Sequence, residues 1–408
     1  MTRHHTRVMN IAQPPSQCFA LVTETYPPQI NGVSNTLGKL CQGLLGRNHQ
    51  IQLIRPALPG EKPGSKQSGN LLERCVRGLP IPGYPGLQWG LPAQRKLKRL
   101  WNRQRPDAVY LATEGPLGWS ALRLARRMKI PVISGFHTNF QQYSNHFHLG
   151  LLHEPAMRYL RWFHNQTQLT LVASTTQQRE LNRMGVQNLM LLGRGVDCDH
   201  FHPTHRSETL RKQWGASNQD TVLLHVGRLS PEKNPELLAE SWAKLKSAHN
   251  NANSKLRMVV VGDGPSASEL RKRMPEAIFT GALTGSALAS AYASADIFVF
   301  PSLTETFGNV VTEAMASGLA VCAFDTAAAH QHIQDRYSGS LAPLSHDQLF
   351  IDNLRWLIED TEGRRSIRLH ARHRACQLDW QAIVLRFERS LLQAALHKSV
   401  PVQAIPSK

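Results

Sequence analysis

Asp296-Ile-Phe-Val-Phe-Pro301-Ser302-Leu303-Thr304-Glu305-Thr306-Phe307-Gly308-Asn309-Val310-Val311-Thr312-Glu313-Ala314-Met315-Ala316-Ser317-Gly318 is the stretch on which the reading of this chain turns. After Asp296, its next four residues form an apolar run without strict alternation, as in a strand buried on both faces of a parallel sheet. Pro301 breaks the run, a polar loop follows, and then comes a helix that Gly318 ends. Ligands of open α/β sheets bind at the carboxyl ends of the strands, so the loop opens onto the ligand edge. Unpaired N–H groups at the helix start, around Phe307, Gly308, Asn309 and Val310, suit a diphosphate. Glu305 precedes the helix and Glu313 lies near its second turn, so one carboxylate can accept from sugar hydroxyls and the other from a ribose. The plainer alternative makes Glu305 a capping acid and Glu313 a solvated helix residue. It is weakened by the apolar surroundings of Glu313, where an unpaired charge is costly.

The same strand-then-helix rhythm extends in both directions. Upstream in the second half lie Thr221–Val226, Arg257–Val261 and Ala277–Thr280, and downstream lies Leu319–Phe324. The first half repeats the pattern at Cys18–Thr23, Ile51–Arg55, Ala108–Leu111, Pro131–Ser134, Leu169–Ser174 and Leu189–Leu192. Such repetition predicts right-handed βαβ units in doubly wound parallel sheets. Single cores stop growing at roughly 250–300 residues, and the chain has 408. Two Rossmann-like α/β domains are therefore expected, residues 1–196 and 197–375, joined near Gly193–Pro203. A closing segment, 376–408, contains a helix over about Asp379–His397 with apolar residues at helical spacing. Gly60–Gly90, rich in Pro and Gly, reads as irregular loop, and Val400–Lys408 are expected to fray.

Other strand ends carry further candidates. Thr221–Val226 runs into Gly227-Arg228-Leu229-Ser230-Pro231-Glu232-Lys233. Arg228 offers a planar fork for phosphate and Lys233 a point charge; a surface arginine and a helix-start lysine are the plainer alternative. Gly262-Asp263-Gly264-Pro265 reads as a topological turn. In the first half, Gly32 stands in a turn that opens a helix, where backbone N–H groups can approach an anion, although the segment is not G-x-G-x-x-G. His137, in Ser134-Gly-Phe-His-Thr-Asn139-Phe, sits at a strand end and can hydrogen-bond a sugar or an acceptor. His146, His148, His153 and His164 fit no zinc pattern and read as packing or surface residues. Asp197-Cys198-Asp199 is formally D-x-D but lies at the domain join. It reads as a linker whose Asp197 bonds local backbone, so no metal site is expected.

The chain carries a net charge of +18. Its first 200 residues hold 24 Lys and Arg against 9 Asp and Glu. This asymmetry points to an anionic partner, with simple solubility as the alternative. Leu91–Arg105 can form a helix with Leu97, Leu100 and Trp101 on one face and Arg95, Lys96, Lys98, Arg99 and Arg103 around it. Such a helix either lies on an anionic leaflet or packs into the core with a solvated basic face. No apolar stretch is long enough to span a bilayer. The polar N-terminus lacks the run of a secretory signal, and the six cysteines are scattered. These features predict a cytoplasmic protein with reduced thiols, and the basic first half adds the expectation of peripheral contact with the inner face of the plasma membrane. Nucleic acid is the rival anionic partner, but aromatic–basic RNA motifs and a recognition-helix signature are missing.

Taken together, Tyr26-Pro-Pro-Gln-Ile-Asn-Gly32-Val, Phe136-His-Thr-Asn139, Arg194-Gly-Val-Asp197, Val226-Gly-Arg-Leu-Ser-Pro-Glu-Lys233 and Thr304-Glu-Thr-Phe-Gly-Asn-Val-Val-Thr-Glu313 resemble the landmarks of the retaining glycosyltransferases of family 4. They occur in family order over about 290 residues, and the last is the family's E-x7-E signature. Ala112-Thr-Glu-Gly-Pro-Leu-Gly-Trp119 resembles the bacterial lipid-type members: GDP-mannose-dependent mannosyltransferases and sulfoquinovosyl- or glucosyl-diacylglycerol synthases. The resemblance implies the GT-B fold, two facing Rossmann-like domains with the last helix crossing back to the first. It implies transfer of a hexose from a nucleotide-diphosphate sugar to a lipid or glycolipid, with no metal and no cofactor beyond that donor. GDP-mannose is the first expectation and a UDP-hexose, with diacylglycerol as acceptor, the alternative. Implied catalytic residues are Arg228, Lys233, Glu305 and His137. Donor contacts fall to Gly32, Gly227, Phe307, Gly308, Asn309, Val310 and Glu313.

Overall fold

A computed structural model of the chain describes residues 16–29, 31–81, 88–137, 153–249 and 255–396. Asn139, His146, His148 and Val400–Lys408 lie outside the described residues. Contacts group the chain into two compact units. The first holds the described residues up to Gly135, Gln166–Leu169 and those from Phe387 onward. The second holds the described parts of Phe136–Asn165 and Thr170–Arg386.

The first unit begins with β1 (Cys18–Val22), α1 (Gly32–Gly46), β2 (Gln50–Pro56), β3 (Ser65–Ser68) and β4 (Leu71–Val76). A small pair, β5 (Gly78–Pro80) and β6 (Gln88–Gly90), precedes α2 (Gln94–Arg103), β7 (Ala108–Leu111), α3 (Pro116–Arg127) and β8 (Val132–Phe136). Strand order runs β8-β7-β1-β2-β4-β3, parallel except for the antiparallel β3. Segment 60–90 therefore differs from the expected loop. β4 extends the parallel sheet in register with β2, from Ile51↔Leu71 to Pro56↔Val76. Edge strands flanked by Gly and Pro carry a weak local signal, and pairing with a neighbour settles them.

The basic helix α2 also resolves one of the two readings above. Leu97 and Trp101 are buried, while Arg95, Lys96, Lys98, Arg99 and Arg103 are exposed. Its main apolar contacts are thus used by the fold and are not available to a lipid surface; the cations are.

The second unit holds α4 (His153–Asn165), β9 (Leu169–Val172), α5 (Thr175–Arg183), β10 (Leu189–Leu191) and α6 (Glu208–Gln213). There follow β11 (Thr221–Val226), α7 (Pro235–His249), β12 (Leu256–Val261), α8 (Ala267–Arg273), β13 (Ile278–Gly281) and α9 (Gly285–Ser294). Next come β14 (Ile297–Phe300), α10 (Asn309–Ala316), β15 (Ala320–Phe324), α11 (Ala327–His332) and β16 (Ser340–Ala342). The chain closes with α12 (Asp347–Glu359), α13 (Thr361–Cys376) and α14 (Trp380–Leu396). β9 and β10 pair in parallel. The six-stranded sheet runs β13-β12-β11-β14-β15-β16, all parallel.

Both faces of that sheet are covered, which explains its continuous apolar strands. Val222, Leu224, Val226, Phe298 and Phe300 enter one core, and Leu223, Ile297 and Val299 enter the other. α14 begins in the second unit and ends in the first. In the first unit Phe387 meets Tyr110 edge-on at 4.8 Å. The buried Glu388 pairs there with Arg47 at 2.8 Å and His49 at 2.7 Å. No helix among the described residues is long and apolar enough to cross a membrane.

Candidate active site

Three pieces of chain converge beyond the ends of β11 and β14. The loop after β11 is shaped by a second loop. Leu229 N–H donates to Asp263 carbonyl at 2.9 Å and Ser266 N–H to Leu229 carbonyl at 2.9 Å. A Cβ on Gly262 would meet Gly227 carbonyl oxygen at 1.8 Å, and Gly262 has φ +136°. The turn 262–265 thus sets the path of the cationic loop, a role beyond topology. Gly227 is half-buried beneath this contact and Arg228 is exposed on the same loop. A 3-10 turn, Pro231–Lys233, then docks on the next loop, with Leu303 N–H donating to Glu232 carbonyl at 3.0 Å.

This docking brings Lys233 to Glu305: Lys233 Nζ donates to Glu305 Oε1 in a largely buried ion pair. Ser302 Oγ donates to the same oxygen at 2.9 Å, and Nζ lies 5.7 Å from the Phe300 ring centroid. Gly308 is the N-cap of α10 with φ 91° and ψ 59° and supplies no side-chain cap. A left-handed residue is tolerated there because glycine lacks Cβ. The starting N–H groups of α10 thus meet no side-chain acceptor from the N-cap and suit an anion. Asn309 and Val310 are half-buried at that start. Phe307 is buried against His332 and contributes only backbone, its carbonyl accepting from Ala328 N–H at 2.7 Å. Glu313 accepts from Tyr292 Oη–H at 3.1 Å, and burial pushes its carboxyl up to about 7.

His137 is half-buried, and Arg194 Nη2 approaches its Nδ1 at 3.0 Å. Burial, Arg194 and then His164 hold its imidazole well below the ordinary range. With Nδ1 accepting, the neutral ring presents Nε2–H as donor. Thr306 Oγ–H donates to the His137 carbonyl at 3.4 Å, next to Glu305 in sequence. Arg194 escaped notice as a site residue, although it opens one of the quoted landmarks; its buried contact with His137 spans 57 residues. Ser302 and Tyr292 were likewise missed, being ordinary polar residues in a loop and a helix.

Gly32 lies in the first unit as the exposed first residue of α1. The helix start beside it is already occupied: Asn31 Oδ1 accepts from Ser34 N–H at 2.8 Å. Asp197 Oδ1 accepts from His200 N–H at 3.0 Å, a local backbone bond. Among the described residues no group of three His, Cys, Asp or Glu side chains is placed to hold a metal.

The fold is a doubly wound parallel α/β fold whose candidate residues gather at the carboxyl ends of β11 and β14. The chain matches the family described as Glycosyltransferase Family 4 over residues 30–200 and Glycosyl transferases group 1 over residues 206–374. It belongs to the family 4 glycosyltransferases. It is 35% identical over 305 residues to a GDP-mannose-dependent alpha-mannosyltransferase of Corynebacterium glutamicum, covering 74% of this chain and 70% of that one. It is 30% identical over 391 residues to sulfoquinovosyl transferase SQD2 of Arabidopsis thaliana, covering 93% of this chain and 74% of the relative. Among solved structures, sucrose-phosphate synthase from Thermosynechococcus elongatus aligns with a TM-score of 0.75 at 18% identity, covering 92% of this chain and 98% of that one. That likeness is one of fold, GT-B.

Proposed function

We propose that the chain moves a hexose, mannose from GDP-mannose in the first instance, onto a membrane lipid or glycolipid with retention at the anomeric carbon. The observation that carries this reading is the buried Lys233–Glu305 pair beside the glycine-capped start of α10. Lys233, Arg228 and the N–H groups of α10 would face the departing diphosphate, stabilising charge that develops only in the transition state. Glu305, now held by Lys233 and Ser302, would turn its acceptor capacity to sugar hydroxyls. Glu313 would accept from the ribose. Nε2–H of His137 would donate to the sugar, with burial and then the Arg194 charge keeping the ring neutral. The acceptor hydroxyl would attack from the leaving-group side and give its proton to a phosphate oxygen. These cations take the place of a metal, so turnover should survive a chelator.

The mannosyl donor is favoured by the name of the Corynebacterium glutamicum relative. A UDP-hexose donor with a diacylglycerol acceptor is the second reading. The exposed cations of α2 would attract an anionic leaflet by charge alone. The deciding experiment is nucleotide release from a panel of nucleotide sugars with candidate lipids. GDP-mannose should head the panel; release from no donor would overturn the reading. Flotation with anionic vesicles, lost as salt rises, is the matching outcome for α2.

A further inference from the structure

The cysteines scattered in sequence are not all scattered in space. Cys198 lies in the stretch after β10, and Cys376 is the last residue of α13. Their two segments are bound to each other on both sides of the thiols. Val196 N–H donates to Leu378 carbonyl at 3.0 Å. Arg372 Nη2 donates to Cys198 carbonyl at 3.4 Å and Nη1 to Phe201 carbonyl at 3.2 Å. Gly195 admits the close approach, since a Cβ there would meet Trp380 Cγ at 2.7 Å. Within this frame the Cys198 and Cys376 side chains come within hydrogen-bonding reach of each other. Both are free thiols; Cys198 is half-buried and Cys376 is exposed.

We propose that Cys198 and Cys376 are a redox modification site, closing to an intrachain disulfide by exchange with a small-molecule disulfide such as oxidised glutathione. The exposed Cys376 thiolate attacks one sulfur of the oxidant, forming a mixed disulfide and expelling one thiolate. Cys198, after losing its proton to solvent, attacks Cys376 Sγ, forming the protein disulfide and expelling the second thiolate. The protein gives up two electrons and two protons, and the oxidant is reduced to two thiols. The order of attack follows from access. Cys376 is exposed and Cys198 half-buried, so the oxidant reaches Cys376 first; burial and the neighbouring Cys376 also push the Cys198 thiol up. The bridge tethers the segment that carries Arg194, and hence the contact to His137.

The test uses the full chain with oxidised glutathione, followed by alkylation and peptide mass spectrometry without reductant. The wild type should lose two of its six titratable thiols and yield one linked peptide pair, Cys198–Cys376. Cys198→Ser should stop at a glutathione adduct on Cys376, and Cys376→Ser should give neither adduct nor bridge. Thermal melting should show a higher Tm for the oxidised wild type, reversed by dithiothreitol, with no such shift in either variant. Three results would overturn the proposal: a stable glutathione adduct on wild-type Cys376 without the bridge, a crosslink through another cysteine, or dimers joined through Cys376. Both serine variants are conservative, and their unmodified melting curves show directly that they fold.

Discussion

Two helix starts of the first unit, those of α1 and α3, contrast with the start of α10 in the second. In the first unit, the starts of α1 and α3 are filled by the chain itself. Asn31 caps α1, and Glu24 Oε1 accepts from Leu117 N–H at 3.3 Å at the head of α3. Gly115 makes room for that carboxylate, since a Cβ there would meet Glu24 Oε2 at 2.1 Å. In the second unit the start of α10 is capped only by a glycine, and the acid beside it, Glu305, is turned to Lys233. The starts of α1 and α3 thus differ from that of α10 in whether a side-chain acceptor already meets one of their N–H groups. A helix start that already holds an acceptor is less open to an anion than one without a side-chain cap.

The sharpest way to break this contrast is to remove the charge pair. Lys233→Ala or Glu305→Ala should lower kcat about 10²-fold or more in a nucleotide-release assay. The double variant should lose less than the sum of the two, because each partner loses its function with the other. Unchanged turnover in Lys233→Ala would remove it from the mechanism. Next in size is Gly308→Ala, which forces a side chain into a left-handed N-cap at about 1–2 kcal/mol. Tm and donor affinity should both fall; a drop in neither would show that the cap tolerates Cβ.

A pH profile sharpens the comparison further. Glu313 is raised to about 7 by burial, so its charged form gains population as pH rises through that value. Nucleotide affinity measured calorimetrically should climb across that range in the wild type and stay flat in Glu313→Gln. Matching profiles would leave Glu313 with a packing role alone. The smallest effect is expected in the first unit. Glu24 is raised to about 7 by burial, with Glu114 adding like-charge repulsion and the Leu117 bond opposing. Its folded pKa exceeds the ordinary unfolded value near 4.5. The unfolded chain therefore ionises it first, and stability is lost as pH rises from that value to about 7. Glu24→Gln should lack this loss, so its Tm should gain on the wild type over that window. Parallel melting curves at all pH values would show that Glu24 is not the titrating group.

Much of the second unit could be read directly from residues. The strand at 296–300, the helix after it and Gly318 at its end are local matters of hydrophobic run and turn chemistry. The structure has them at Ile297–Phe300 and Asn309–Ala316, with Gly318 at φ 74°. The strands β3 and β4 were hidden in a Gly- and Pro-rich stretch whose pairing partner lies outside it. The alternatives for Leu91–Arg105 stayed open because periodicity shows that a face is apolar, not what covers it.

By itself, the sequence determined the parallel α/β class and the residue types gathered at strand ends, because each rests on local pattern and spacing; its landmarks carried only a resemblance to the family. Only tertiary structure decided that Lys233 reaches Glu305 across 72 residues, that Arg194 holds His137, that Glu24 fills the head of α3 and that Cys198 meets Cys376. Those pairings depend on strand order and loop path. A side chain's hydrogen-bond partner is chosen by what the fold delivers to it, and one-dimensional spacing carries no record of that delivery.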